Sequence, residues 1–459
     1  MTIPRRTALV VTALLLWPVG SVLAHGAGLA NAPDRSLDVP TWLFLLTGGG
    51  VIGASFLLAS FVTDRAFIRQ IHSAYRRSVI PAERLLRLLG RGIGLLGLGF
   101  ILVVCFFGPR DPLFNAGVLL VWAGWWSGYV MTTYLVGNSW PVINPFRTLA
   151  EVLPTLDRPY PDRLGAWPSV AGLLALIWFE VVSPVADQPR FLGSAIAGYT
   201  VLTLLGAAVF GSEQWFESAD PVSRVFAYFG RVAPVYRAPG ENGRLRFRLP
   251  GTGLDEPRLV DSWSEVGFVV AILWATTYDG LVATPLWRQT AVSIVEAGVP
   301  PNLLYAVSLL VGYGFFLGIY RLAATYSKRF ARTYVPTETL AYRFAPPLLA
   351  IAAGYHVAHF LGYFLELLPA LLGTLAAPLD PPAPVALVLP GWFGGVDIAF
   401  VILGHLLAIW AAHAAAYDVF PGKLQAVRSQ YSITLVMVFY TIFSLWIVTQ
   451  PYAVPPYVS

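Results

Sequence analysis

The chain has 459 residues, of which 56% are apolar and only 12% charged, with a mean hydropathy of +0.65 and a formal charge of +5. That composition excludes a soluble globular domain. The basic residues are spread among loops instead of forming one patch, which speaks for orientation in a bilayer and against nucleic acid. Cys105 is the single cysteine, so an intramolecular disulfide and a thiolate metal cage are excluded, and any metal must use N and O ligands.

Residues 1–24 have the pattern of a signal peptide, with Arg5 and Arg6, the apolar run TALVVTALLLW, and Val22 and Ala24 placed for cleavage. A retained anchor helix is the alternative, and Ala30 and Ala32 offer a second cleavage site. Cleavage after Ala24 leaves His25 at the new N-terminus, where amine and ring together form a chelate for a metal such as copper. An unliganded terminal histidine is the plainer reading.

Residues 25–459 are expected to form a single polytopic membrane domain, an all-α bundle of about ten spans. The apolar runs lie near 41–63, 92–108, 117–138, 166–186, 193–211, 264–284, 301–322, 345–372, 396–417 and 433–449. With the mature N-terminus outside, the outer segments hold only Arg35, Arg110, Arg190 and Arg288. Apart from Arg5 and Arg6, every other Lys and Arg then falls in or beside an inner loop, which orients the chain with both termini outside. The outer segment 373–395 has no basic residue at all.

Three inner segments read as more than connectors. Residues 64–91 carry apolar and basic positions at helical spacing and are expected along the inner surface, with arginines at anionic headgroups and His72 solvated. In 139–165, Asn144 and Pro145 predict a capped amphipathic helix over NPFRTLAEVL. In 212–262, GSEQWFESADPVSRVFAYFGRVAP predicts an interfacial helix anchored by Trp215. The stretch PGENGRLRFRLPGTG predicts a short hairpin with Arg244, Arg246 and Arg248 alternating.

The chemistry-bearing residues lie in the spans. His356 and His359 are three apart, so on a helix they differ by about 60° and about 4.5 Å. His405 and His413 are eight apart, giving about 80° and about 12 Å. Imidazole in hydrocarbon is costly unless it ligates, pairs or faces water. The four rings are therefore expected either to hold a divalent metal such as Zn, Mn or Cu, or to hydrogen-bond within the bundle. Glu180 and Asp279, each near the outer end of a span, are candidate proton acceptors, metal ligands or imidazole partners, with a water-exposed carboxylate as the bland alternative. Asp397 reads as an N-cap. The sequence has no G-x-S-x-G elbow, P-loop or H-E-x-x-H motif, and no internal repeat of the inverted-transporter kind.

Seven segments in order, AHGAGLANAPDRSLDVPTWLF, WPVINPFRTLAE, IWFEVVSP, GSEQWFESADPVSRVFAYFGRVAP, ATTYDGL, FAPPLLAIAAGYHVAHFLGYF and GHLLAIWAAHAAAY, together resemble the fenitrothion hydrolase family of multi-pass prokaryotic membrane proteins. They run from residue 24 to 417. The resemblance implies a plasma-membrane hydrolase of neutral organophosphate triesters that releases a nitrophenol-type leaving group. It carries no established catalytic residues, so the site remains the one read from the residues: Asp279 or Glu180 as proton acceptor beside a metal on His356, His359, His405 and His413. A proton-coupled transporter using the same buried groups and a haem protein with His359 and His405 as axial ligands are the competing expectations.

Overall fold

The computed structural model describes residues 41–62, 66, 68, 76–77, 83–237, 245–256 and 258–458. The signal segment 1–24, both cleavage sites, His25, His72, Arg244 and most of the expected surface helix over 64–91 lie outside the described residues.

The chain is an all-α bundle. In order it forms α1 (Thr41–Val62), α2 (Glu83–Phe107) and α3, which is α-helical over Ala116–Leu119, π-helical over Leu120–Tyr129 and α-helical again over Val130–Leu135. Two short helices follow, α4 (Trp140–Ile143) and α5 (Pro145–Ala150), then α6 (Trp167–Val182), α7 (Pro189–Phe210) and α8 (Pro221–Phe229). The second half comprises α9 (Trp263–Val282), α10 (Pro285–Glu296), α11 (Pro301–Ala331), α12 (Thr337–Phe344), α13 (Leu348–Ala376), α14 (Phe393–Val419), α15 (Lys423–Ser429) and α16 (Tyr431–Val448).

Seven stretches among the described residues are long and apolar enough to cross a membrane: Leu85–Phe107, Pro189–Phe210, Trp263–Val282, Pro301–Ala331, Thr337–Ala376, Phe393–Val419 and Lys423–Val448. Leu45–Ser60 and Trp167–Val182 are shorter apolar helices, and the run expected over 117–138 is broken by its π-helical middle. The architecture fits a multi-pass membrane protein. Asp397, expected to cap α14, instead sits buried inside it, because the helix already begins at Phe393.

α9 is the central helix. It is apolar on every face, is buried continuously from Val266 to Tyr278 and packs against α6, α11 and α13. Such a helix needs neighbours all round and has no solvent face. Its start is capped by Ser262, whose hydroxyl accepts from the Glu265 amide at 3.3 Å, while the Glu265 carboxylate reaches back one residue beyond the cap to accept from the Asp261 amide at 2.9 Å. α13 and α14 cross at Gly354 and Gly404, where a Cβ on Gly404 would lie 2.6 Å from the Ala350 carbonyl oxygen.

The basic end of the bundle is closed by a small antiparallel sheet in the order β1 (Arg76–Arg77), β3 (Leu245–Phe247), β2 (Val235–Arg237). Only β3 falls in the stretch expected to form the hairpin; its partner β2 lies upstream of it, and a third strand comes from a second loop, pairing Arg77 with Arg246. Arg248 is not a surface charge of this hairpin. Its side chain is largely buried, pairs with Glu256 at 2.7 Å and donates to the carbonyls of Gly230, Arg231 and Ala233.

Arg343 on α12 bridges Asp418 at 2.6 Å and Asp255 at 3.3 Å, joining the end of α14 to the 252–255 turn. Burial pushes the Asp255 carboxyl up from 3.8 to about 7, and the pull of Arg343 does not cancel that cost. A carboxyl raised on folding stabilises most below its unfolded value and loses that contribution as pH rises through its folded one. Amide-exchange protection of 252–255 is therefore expected to fall between about pH 4 and pH 7. In Asp255→Asn the slope should vanish; an unchanged slope would assign the pH response elsewhere.

Candidate functional site

A cavity of about 530 Å³ lies between α2, α3, α6, α7, α8, α9 and α13. Its walls are mainly apolar and rich in aromatic rings, with Trp122, Trp125, Trp126, Phe226, Phe229 and Phe360 among them. The π-helical turn of α3 supplies the tryptophans. Its Ser127 hydroxyl donates to the Trp122 carbonyl five residues back at 2.8 Å, and widened turns of this kind recur at functional sites. Within this apolar lining stand two carboxylates, Glu180 and Asp279.

The floor comes from segments expected at the inner surface. Asn144 does cap α5, accepting from the Arg147 amide at 3.1 Å, but its amide nitrogen donates to the Ser223 hydroxyl of α8 at 3.1 Å, tying the two segments together. Pro145 and Phe146 line the cavity, as do Val222, Val225 and Phe229 of α8. Phe226 stacks on Trp140 at 4.7 Å. A π-helical turn over Trp215–Ala219 precedes α8, whose cap is Asp220; the Asp220 carboxylate also accepts from Tyr199, a cavity-lining residue. α8 turns the apolar stripe of Val222, Val225, Phe226 and Phe229 toward the bundle interior, which covers it.

Asp279, which lines the cavity, meets His359, which stands behind the lining. Asp279 Oδ2 lies 3.1 Å from His359 Nε2, both side chains are about one-fifth exposed, and the Tyr355 ring stacks on the imidazole at 6.0 Å. Gly280 makes room for that stack, since a Cβ there would be 2.1 Å from the Tyr355 hydroxyl. Gly280→Ala is expected to destabilise the protein by about 1–3 kcal/mol through overpacking. Adding Tyr355→Phe should recover part of the melting temperature, because the displaced hydroxyl has no hydrogen-bond partner among the described residues to lose, while Ile447 Cγ2 would still lie 2.8 Å from the new Cβ. No recovery in the double variant would place the clash elsewhere.

Glu180 and Asp187 belong to the same region. Together with Asp279 they act electrostatically on the Tyr363 and Tyr452 hydroxyls, so three carboxylates and two phenols stand within one another's fields. Several donors of cavity-lining residues have no hydrogen-bond acceptor among the described residues: the indole N–H groups of Trp122, Trp125 and Trp140 and the hydroxyl of Tyr363. Buried donors of this kind normally find a partner. All four belong to residues that line the cavity.

The four histidines do not share one site. His356 is fully buried one turn from His359, its Nδ1 at 2.9 Å from the Tyr134 hydroxyl and its ring packed edge-on against Trp126 at 5.6 Å. His405 Nδ1–H donates to the Val401 carbonyl at 2.8 Å within α14. His413 Nδ1–H donates to Gln430 Oε1 at 3.2 Å; Gln430 Nε2 donates to the Ala426 carbonyl, which fixes that assignment. Among the described residues no group of three or more His, Cys, Asp or Glu side chains is placed to hold a metal ion. The expectation of one metal centre over His356, His359, His405 and His413 therefore meets a different arrangement. Local acceptors answer the cost of burying the Nδ1 donors of His405 and His413.

Sequence reasoning singled out Asp279, Glu180 and His359 but missed Tyr363, Asp187 and the tryptophans of α3. The run LLVWAGWWSGY, with three tryptophans and two glycines in mid-span, was the available signal. Five of the seven segments behind the family resemblance contribute residues to the cavity: Trp140, Phe179, Phe226, Asp279 and Phe360 each come from a different one. Comparison with protein-family models, curated proteins and solved structures finds no match to this chain.

Proposed function

We propose that the protein is an integral membrane hydrolase that takes a neutral lipophilic ester from the bilayer into the cavity and activates water on the Asp279–His359 pair. The observation that carries this reading is a carboxylate–imidazole pair at 3.1 Å whose carboxylate, Asp279, lines an apolar, aromatic-rich chamber. Two carboxylates and no cation line that chamber, so an anionic phosphodiester is repelled while a neutral triester is accommodated. The family resemblance points to organophosphate triesters as the ester class.

In the step proposed, the water oxygen forms the new P–O bond as the aryl P–O bond breaks. Asp279 with His359 accepts the proton, and the nitrophenolate leaves with the bonding electron pair. The indole N–H groups and the Tyr363 hydroxyl of the lining residues are assigned as donors to the phosphoryl oxygen, turned to it by side-chain rotation on binding. The dialkyl phosphate product is an anion beside Glu180 and is expelled by the same repulsion. No step runs through a metal. In this reading the basic end faces the prokaryotic cytoplasm, both termini lie outside, and the pair sits in the outer half of the membrane.

The test is nitrophenolate release from a neutral nitrophenyl triester by detergent-purified protein. Turnover above a matched empty-vector preparation supports the proposal, and its absence overturns it. A proton-coupled transporter is the second reading, favoured by the grouping of Glu180, Asp187 and Asp279 from the loop inward. Substrate-driven proton flux in proteoliposomes without turnover would select it.

A further inference from the structure

At the basic end, away from the cavity, the C-terminal part of α11 and the start of α12 enclose a groove of about 470 Å³ lined by Thr325, Lys328, Arg329, Arg332, Thr333, Tyr334 and Thr337. Among the described residues none of the three cations is paired with a carboxylate, and Arg329 rests over the Tyr326 ring at 5.2 Å. Cations in the last turn of a helix are favoured by its dipole, which accounts for Lys328 and Arg329. It does not account for Arg332, which lies beyond the helix in a left-handed conformation at φ 49° that turns the chain back around the groove.

α11 has 31 residues and is thus about 46 Å long, whereas the hydrocarbon core is roughly 30 Å thick. Its last turns therefore reach the headgroup layer at the end of the bundle where the basic residues collect. Leu322, Tyr326 and Phe330, spaced by four, share one face of α11 and are all strongly exposed, at 59%, 44% and 46%. An apolar strip thus runs along α11 beside the groove, whose three cations have no carboxylate partner among the described residues.

We infer that this groove binds an anionic phospholipid, with the phosphate held by Lys328, Arg329 and Arg332 and an acyl chain along Leu322, Tyr326 and Phe330. The groove hydroxyls of Thr325, Thr333 and Thr337 are the neutral donors available to the headgroup. Charge selects an anionic over a zwitterionic headgroup, and the apolar strip selects a lipid over free phosphate.

Native mass spectrometry of the full chain in detergent tests this with phosphatidylglycerol, phosphatidylcholine of the same acyl chains, and inorganic phosphate as probes. Phosphatidylglycerol is expected to be retained at least tenfold more tightly than phosphatidylcholine. The triple variant Lys328→Gln, Arg329→Gln, Arg332→Asn should weaken phosphatidylglycerol binding about a hundredfold, leaving phosphatidylcholine unchanged. If the triple variant does not fold, Lys328→Gln alone should give about a fivefold loss. Phe330→Ser should weaken the lipid and not the phosphate. Equal retention of the two lipids, or unaltered binding in the charge variants, overturns the inference. Full displacement of the lipid by millimolar phosphate overturns it in favour of a soluble phosphate ligand.

Discussion

Asp279→Asn is expected to lower nitrophenolate release about 10²–10⁴-fold, the range set by losing a positioned general base. Asparagine keeps the shape of the side chain and can still accept from His359 Nε2, at 3.1 Å in the native pair, so the bundle should fold and melt as before. What disappears is the negative charge that takes up the proton of the attacking water. His359→Gln should act on the same step, and because the two groups work as a unit the double variant should lose little beyond the worse single one. Additive losses would mean that Asp279 and His359 serve different steps. His413→Gln is the matched control: its ring is committed to Gln430 and belongs to a different part of the bundle, so turnover per folded molecule should hold. Full turnover in Asp279→Asn would remove the pair from the chemistry and leave the cavity as a binding site alone.

Gly404→Val is expected to be the most damaging single change to the fold. α13 and α14 approach so closely that a Cβ on Gly404 would sit 2.6 Å from the Ala350 carbonyl oxygen and 3.0 Å from Gly354 Cα. The obstacles are backbone atoms, which no side-chain rotation can clear, so the helices must separate. Small residues at such crossings let packing and backbone contacts hold helices together in a medium where burial from water gives no drive. An overpacking cost of about 3 kcal/mol or more is expected. The measurable outcome is a lowered melting temperature and reduced recovery of folded protein from detergent. Gly50→Val, at a position where an added Cβ would meet no atom within 4 Å, should be tolerated. Equal stability of the two variants would show that the crossing is not close in the native protein.

The cavity also explains why some segments were hard to place from sequence. Hydropathy marks a residue as apolar but does not say whether lipid or protein covers it. The helix over 221–229 has the stripe of an interfacial helix, and an interfacial helix and one folded into the floor of a chamber share that pattern. Asn144 shows the same division. Its capping of α5 follows from the Asn-Pro dipeptide, whereas its bond to Ser223 spans 79 residues and no local rule anticipates it. For the histidines, spacing on each helix was legible, but their facing across helices was not. Rotation of α14 about its axis decides whether His405 turns toward His359 or toward a carbonyl of its own helix, and it takes the latter.

The sequence by itself determined the membrane-type all-α architecture, because runs of apolar residues separated by basic loops leave no other way to satisfy the backbone within a bilayer. It also pointed to Asp279, Glu180 and His359 as polar groups set in hydrophobic spans. Only the tertiary structure decided which of them meet. Pairing of Asp279 with His359, the turning inward of the Trp140–Ala150 and Trp215–Phe229 segments, and the joining of two loops in one sheet all depend on contacts between residues far apart in the chain. Their energies come from packing and from mutual satisfaction of buried polar groups, neither of which is written in any single stretch of sequence.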